Sequence, residues 1–258
     1  MKGIITAGGL GSRLGIITKT QNKHLLPVFN KPMIYYPIET LTKAGIEEIL
    51  IIVSGPFAGN FIPLLKNGED FGLKKLEYAF QSKPDGGIAD ALSLAENFAN
   101  KEPVVVILGD NVTNFNITNS IKNYLTAIEI NKPEPYAKIH LKFFNQKEDL
   151  VKYGIVEFEN LPINHTKCPI KKIIEKPNDP PSCYAVTGLY LFDQYVFNFI
   201  KQLKPSERGQ LEVTDILNLY LKNGFLDWEV MLDDFWQDAG TFESLYAANK
   251  YWAEKINT

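Results

Sequence analysis

Three glycines in four positions, Gly8, Gly9 and Gly11, follow a short apolar run from Gly3 to Ala7, and Arg13 and Lys23 come soon after them. Glycines this close allow a tight turn that gathers backbone N–H groups on one concave surface, where a β-carbon would hold a ligand away. Arg13 adds a planar, permanently charged fork suited to phosphate oxygens, and Lys23 adds a compact second positive charge. The chemistry open to such a loop is the holding of an anion, and a nucleoside triphosphate would use all of these groups. A purely structural turn is the competing reading. Spacing excludes two other phosphate loops. The third glycine position of the dinucleotide fingerprint holds Leu14, and the second apolar run ends Ile51-Ile52-Val53-Ser54 without the acidic residue that meets a ribose. No Gly-Lys-Ser/Thr follows, which rules out the P-loop.

Further along, Asp110 follows the run Val104–Leu108, and Asp238 sits in Phe235-Trp236-Gln237-Asp238-Ala239-Gly240-Thr241. Either could be a turn or cap residue, although Thr241 is the better N-cap for a final helix. Together they could grip one Mg²⁺, which takes few carboxylates and keeps phosphate oxygens and waters as its other ligands. Lys176 lies in Ile173-Ile174-Glu175-Lys176-Pro177, where it is a phosphate ligand or an exposed strand-end lysine, and Glu175 could bond a hydroxyl or a neighbouring lysine. Gln81 precedes Pro84-Asp85-Gly86, and its amide offers a donor and an acceptor side by side, which suits the imide edge of uracil or thymine.

These residues need elements to hold them. The first half alternates strand and helix patterns: strands at Gly3–Ala7, Ile49–Val53, Leu76–Phe80 and Val104–Leu108, and helices at about 32–44, 57–65 and 88–98. Pro37 should bend the first helix or move its start. This order predicts an α/β fold, a Rossmann-like, doubly wound, mixed but mostly parallel sheet with helices on both faces. Ligands of such sheets bind beyond the carboxyl ends of the strands, and the glycine loop, Gln81 and Asp110 all lie just past one. The second half reads as strands at 137–143, 153–158, 171–175, 185–192 and 229–232, with helices at about 195–203, 214–222 and 241–255. No flexible linker separates the halves. The expected organisation is one domain over 1–258, with a nucleotide-binding half to about residue 135 and, from about 136, a second half that continues the sheet and closes the cleft from the other side.

The 258 residues are 45% hydrophobic, enough for one substantial core, and the net charge of −3 argues against a general nucleic-acid binder. Two cysteines, Cys168 and Cys183, stand in no zinc spacing. There is no apolar stretch of membrane-spanning length and no signal-peptide pattern at the start, so a cytoplasmic protein is expected and the Asn164-His165-Thr166 sequon reads as accidental.

In order along nearly the whole chain, the sequence resembles the sugar-phosphate nucleotidyltransferases, in particular the glucose-1-phosphate thymidylyltransferases. The likeness is carried by Ala7-Gly8-Gly9-Leu10-Gly11-Ser12-Arg13-Leu14, Lys23-His24-Leu25-Leu26-Pro27, Asn30-Lys31-Pro32-Met33-Ile34-Tyr35-Tyr36-Pro37 and Leu108-Gly109-Asp110-Asn111. It continues through Tyr153-Gly154-Ile155-Val156-Glu157-Phe158, Glu175-Lys176-Pro177, Tyr184 to Tyr190, Arg208 to Asp215 and Asp238-Ala239-Gly240-Thr241. The resemblance implies that Gly8, Gly9, Gly11, Arg13 and Lys23 hold the triphosphate, with Asp110 beside it. It implies that Gln81 and Gly86 face the base and that Asp110 and Asp238 hold Mg²⁺. Tyr153, Gly154, Glu175, Val186 and Trp236 would line a sugar pocket, and Lys176 would meet the sugar's phosphate. The substrates would be dTTP or UTP and a sugar 1-phosphate, with glucose 1-phosphate leading and a uridylyl- or cytidylyltransferase as the alternative. A non-catalytic sugar-nucleotide sensor is the reading from another class. The sugar phosphate would attack the α-phosphorus in line, with Arg13, Lys23 and Lys176 neutralising charge and no histidine or serine base required. The chain departs from the family pattern at Ile16, Gly87 and Ala239, and it resembles the shorter members. A homo-oligomer is left open.

Overall fold

The structure is a computed structural model and describes residues 1–9, 11–145 and 150–256. Leu10 of the glycine loop and residues 146–149 lie outside the described residues. The chain opens with β1 (Lys2–Ala7), passes a two-strand ribbon β2 (Pro27–Val28) and β3 (Lys31–Pro32), and enters α1 (Tyr35–Lys43). The helix expected from about residue 32 thus starts three residues later. Pro37 falls in its first turn, where backbone N–H groups have no intrahelical partner and the proline costs nothing. β4 (Glu48–Ser54), α2 (Phe61–Leu65), β5 (Lys75–Gln81), α3 (Ile88–Ser93), α4 (Glu96–Ala99) and β6 (Val104–Leu108) follow. The helices expected at 57–65 and 88–98 are broken: a 3₁₀ turn at 58–60 precedes α2, and Leu94-Ala95 separates α3 from α4.

Pairing explains where a ligand can sit. β1 runs parallel to both β4 and β6, and β4 runs parallel to β5. The chain therefore winds from β1 to one side through β4 and β5, then crosses back to place β6 on the other side of β1. The strand order reverses between β1 and β6, and a crevice opens beyond their carboxyl ends. Thr6 pairs with Leu108 there, so the glycine loop and Gly109-Asp110 emerge side by side, and the Gly109 N–H donates to the Thr6 carbonyl at 2.9 Å.

After β6 come β7 (Asn111–Thr113), α5 (Thr118–Asn131), β8 (Tyr136–Phe143), β9 (Gly154–Phe158), β10 (Ile170–Glu175) and β11 (Tyr184–Phe192). The sequence reading passed over α5, although Ile117, Ile121, Tyr124 and Ile128 recur at helical spacing and all four are buried. β11 joins antiparallel to β6 and extends the same sheet to β8, β9 and β10. α6 (Val196–Ile200), α7 (Val213–Asn223), β12 (Phe225–Val230), β13 (Trp236–Asp238) and α8 (Phe242–Ile256) complete the chain. β12 starts four residues before the expected 229–232 strand and ends two residues before it, because it pairs in parallel with β8 over its whole length. Thr241 caps α8 as expected: its Oγ1 accepts from the Ser244 N–H at 3.2 Å while Ser244 Oγ accepts from the Thr241 N–H at 3.0 Å.

The main sheet is mixed, parallel across β6, β1, β4 and β5, with α/β layering on both faces. Successive residues divide between the two faces. Ile4, Ile52, Val104 and Val106 pack into one core; Ile5, Ile51, Val105 and Ile107 pack into the other. Both cores draw on the first and second halves of the chain, so the sheet's two ends are held to one rigid floor under the crevice.

Candidate active site

A cleft of about 640 Å³ lies over the carboxyl ends of β1 and β6. Its floor is the glycine loop. Gly9 and Gly11 sit at φ +96° and +63°, in the left-handed region that favours glycine. A β-carbon on Gly8 would come within 3.0 Å of both Ser54 Oγ and Gln81 Oε1. Ser54, at the end of β4, holds the turn by accepting from the Gly9 N–H at 3.0 Å. Arg13 leaves this loop half-exposed, with Nη2 3.6 Å from Asp238 Oδ2. Gly240 admits the guanidinium, since a β-carbon there would stand 2.7 Å from Arg13 Nη2.

The two aspartates meet through β7 and β13. These short strands pair antiparallel, with Asn111 opposite Asp238, and the Ala239 N–H donates to the Asp110 carbonyl at 2.9 Å. Asp110 is buried, and each carboxylate oxygen has its own partner. Lys23 donates to Oδ2, and Asn111 Nδ2 donates to Oδ1 at 3.3 Å. Asn111 is itself fixed: its Oδ1 accepts from Trp236 Nε1 at 2.7 Å and from the Gly188 N–H at 3.0 Å, where the β11–β8 register shifts. Burial alone would raise the Asp110 carboxyl, but the charge and hydrogen bond of Lys23, with Arg13 further off, hold it well below the usual carboxylate range. Asp238 goes the other way. Burial, then the Asp110 charge, raise it against the opposing pull of Lys23 and Arg13. Beneath them His24 is buried and neutral, pushed down to about 3 by burial and by Lys23. Its Nδ1 bonds Asn22 Oδ1 at 2.7 Å.

The far wall is built on β9, β10, β11 and β13. Lys176 follows β10 with φ +45°, a strained setting for lysine, and its N–H donates to the Tyr153 carbonyl at 3.0 Å. Lys176 Nζ lies 3.3 Å from Glu175 Oε1. Tyr153 packs edge-on against Trp236 with ring centroids 5.5 Å apart. Val186 and Gly154 complete this wall.

Of the site residues read from the sequence, Gly8, Gly9, Gly11, Arg13, Lys23, Gln81, Asp110, Tyr153, Gly154, Glu175, Lys176, Val186, Trp236 and Asp238 all line this one cleft. Gly86 does not, and its neighbour Gly87 takes the place on the wall. Gly86 serves from behind, because a β-carbon there would strike the Asp90 carboxylate. The sequence reading gave no role to Arg208, although it quoted the segment. Arg208 lines the cleft, with Nη2 2.8 and 2.9 Å from the two Glu212 carboxylate oxygens and 3.4 Å from Glu175 Oε1. Arg208 stands in a polar turn without periodic signal, and one of its two acids, Glu175, ends a strand far away in the chain, which is why no role could be read for it.

Comparison with known proteins fits this geometry. The sequence profile of the Nucleotidyl transferase family matches residues 2–255. The chain belongs to that family. This nucleotidyltransferase is 42% identical over 255 residues to a glucose-1-phosphate thymidylyltransferase of Neisseria gonorrhoeae, covering 97% of this chain and 82% of that one. It is 39% identical to the enzyme of the same name from Xanthomonas campestris pv. campestris, covering 97% and 80%. Among solved structures, a Bacillus anthracis protein assigned as a glucose-1-phosphate thymidylyltransferase, in complex with sucrose, superposes with a TM-score of 0.85 at 43% identity, covering 97% and 94%. A UDP-glucose pyrophosphorylase complexed with UDP-glucose superposes with a TM-score of 0.80 at 24% identity and shares the fold.

A divalent cation fits this nucleotidyltransferase's residues. Two carboxylates converge, Asp238 is raised in part by the charge of Asp110, and among the described residues no third acid, histidine or cysteine completes an all-protein cage. Such a pair leaves most positions to phosphate and water, the habit of Mg²⁺ rather than of Ca²⁺ or Zn²⁺.

Proposed function

We propose that this nucleotidyltransferase transfers the thymidylyl group of dTTP to glucose 1-phosphate, giving dTDP-glucose and pyrophosphate. The observation that carries the reading is the convergence, across one cleft, of the Gly8–Arg13 loop with Lys23, Asp110 and Asp238 on one side and Glu175-Lys176 on the other. The relatives' names supply the substrates.

In this reading the backbone of Gly8, Gly9 and Gly11 cradles the triphosphate, and Gln81 reads the base. Tyr153, Gly154, Glu175, Val186 and Trp236 surround the sugar ring. Lys176, with Arg208 beside it, receives the sugar's phosphate. The main obstacle is bringing two polyanions together, and the residues that oppose it are Arg13, Lys23 and Lys176. Arg13's fork spans oxygens on adjacent phosphates and stabilises the charge that builds on the leaving pyrophosphate. The attacking phosphate oxygen is already nucleophilic at neutral pH, so the neutral His24 is not needed as a base. Asp110 and Asp238 would hold Mg²⁺, which supplies charge neutralisation and orientation of the phosphates. The division of labour would put the nucleotide on the half before about residue 135 and the sugar on the half after it. Among the described residues no helix is long and apolar enough to cross a membrane, and we place the enzyme in the cytoplasm with its substrates.

The test is a panel of dTTP, UTP and CTP against glucose 1-phosphate and galactose 1-phosphate with Mg²⁺, read by pyrophosphate release. The highest kcat/KM is expected for dTTP with glucose 1-phosphate. No pyrophosphate from any pair, or a preference for UTP, CTP or galactose 1-phosphate, would overturn the reading.

A further inference from the structure

A carboxamide carries one acceptor and one donor group, so a glutamine free to turn over reads opposite base edges equally well. Gln81 is not free to turn. It ends β5, is 4% exposed, and its Nε2 donates to the Gly87 carbonyl at 3.1 Å and to Asp90 Oδ2 at 2.7 Å. Both partners are acceptors. With the amide reversed, Oε1 would face a carbonyl oxygen and a carboxylate oxygen at hydrogen-bonding distance, a purely repulsive arrangement. Both amide protons are therefore spent inside the protein. Oε1 is the atom left over. It lies beside Gly8 in the cleft, and no donor among the described residues bonds it.

The surroundings are built to hold Asp90 in that position. Asp90 is the third residue of α3, directly behind Gly86, whose missing side chain leaves the carboxylate its space. Gly87 has φ +95°, and a β-carbon there would run into the Leu211 backbone. The turn is clipped from the other side, with the Leu211 N–H donating to the Gly86 carbonyl at 2.9 Å and the Ala89 N–H donating to the Leu211 carbonyl at 3.2 Å.

We propose that Asp90 is a specificity-determining positioning residue: by taking an amide proton of Gln81, it presents a lone acceptor to the nucleobase and selects the imide N–H of thymine or uracil against the bare ring nitrogen of cytosine. The proposal rests on the nucleotidyl-transfer reading and adds to it the reason one base class is accepted. Thymine and uracil share the N3–H, so Asp90 does not separate them; cytosine N3 is an acceptor and would meet Gln81 Oε1 without a proton between them.

The experiment measures kcat/KM for dTTP, UTP and CTP at saturating glucose 1-phosphate in the wild type and in Asp90→Ala, Asp90→Leu and Asp90→Asn. Alanine is the best helix former, and leucine keeps the volume without an acceptor, so two acceptor-free variants guard against a misfolded one. In both, the dTTP:CTP ratio is expected to narrow by about 10- to 100-fold, the worth of one charge-assisted hydrogen bond. The change should appear in KM for the nucleotide, leaving KM for glucose 1-phosphate within about twofold, because Gln81 stands apart from the sugar wall. Asp90→Asn keeps an acceptor oxygen and should hold the ratio within about threefold of wild type. An unchanged ratio in folded Asp90→Ala or Asp90→Leu refutes the proposal, and so does an Asn variant that loses as much as the Ala variant. These failures differ from failure of the transfer reading, in which the wild type would release no pyrophosphate from dTTP or UTP.

Discussion

Arg13→Ala separates catalysis from folding more sharply than any other change to this cleft. The side chain is 49% exposed, and its ion partner among the described residues is Asp238, 3.6 Å away. An ion pair so exposed contributes about 0–1 kcal/mol, so the variant should melt within a few degrees of wild type. The catalytic loss is of another size. In the proposed reading Arg13 faces the phosphates across a site where charge redistributes during transfer, and removing one preorganised donor from such a site costs about 10²–10³-fold in kcat. The assay is steady-state pyrophosphate release with both substrates varied. kcat should carry most of the loss, because the guanidinium acts more strongly on the transition state than on bound dTTP. Arg13→Lys should recover only part of it, since an ammonium cannot span two phosphate oxygens as a fork does. A rate for Arg13→Ala within about threefold of wild type would refute the reasoning, because electrostatic stabilisation by this residue could not then supply a decade of rate.

The other predictions concern the acids, the sugar wall and the supporting glycines. Asp110→Asn and Asp238→Asn should shift the stability of the metal-free protein in opposite directions, and with Mg²⁺ present both should abolish transfer. Asp110→Asn leaves the mostly buried Lys23 without its carboxylate and should cost about 3 kcal/mol at neutral pH in chemical denaturation. Because the Asp110 carboxyl is held low, its stabilising effect is present above the ordinary carboxylate range and is lost as pH falls toward its folded value. Asp238→Asn removes a charge that burial and Asp110 disfavour, so it should raise the melting temperature. That gain is complete above the raised Asp238 pKa and disappears as pH falls through it. Two variants that shift stability in the same direction would contradict the pairing. Lys176→Ala should raise KM for glucose 1-phosphate by about tenfold or more and leave KM for dTTP nearly unchanged, as measured by varying each substrate in turn. Gly188→Ala would press a β-carbon to 2.5 Å from Leu108 Cγ and 2.7 Å from Asn111 Nδ2, displacing the residue that orients Asp110. It should cut kcat/KM by at least about tenfold, and a fully active variant would remove Asn111 from the account.

The sequence disclosed most where local pattern and burial agree. Val104–Leu108 and Ile49–Val53 are unbroken apolar runs because both faces of the sheet are covered, and the end of the first places Asp110 as the end of Gly3–Ala7 places the glycine loop. β7 and β13 have three residues each and exist only because they pair with one another across more than a hundred positions, so the contact that brings Asp238 to Asp110 left no periodic trace. Gly86 and Gly87 are indistinguishable in sequence. Only the approach of Leu211 and Asp90 decides which of them reaches the cleft. The same holds for Gln81, whose amide read as both donor and acceptor until Asp90, nine residues on, claimed the donor. α5 is a different case: its helical spacing was legible and was overlooked between two stronger strands.

The central claim is that Asp110 and Asp238 close on one metal beside a nucleotide held by the glycine loop. Diffraction at the manganese edge from crystals grown with dTTP and Mn²⁺ tests it most directly. The account predicts one anomalous peak between the Asp110 and Asp238 carboxylates, with triphosphate oxygens as further ligands and Arg13 against the phosphates. A nucleotide bound in this cleft with its metal held by other residues, or with Arg13 turned away, would contradict it.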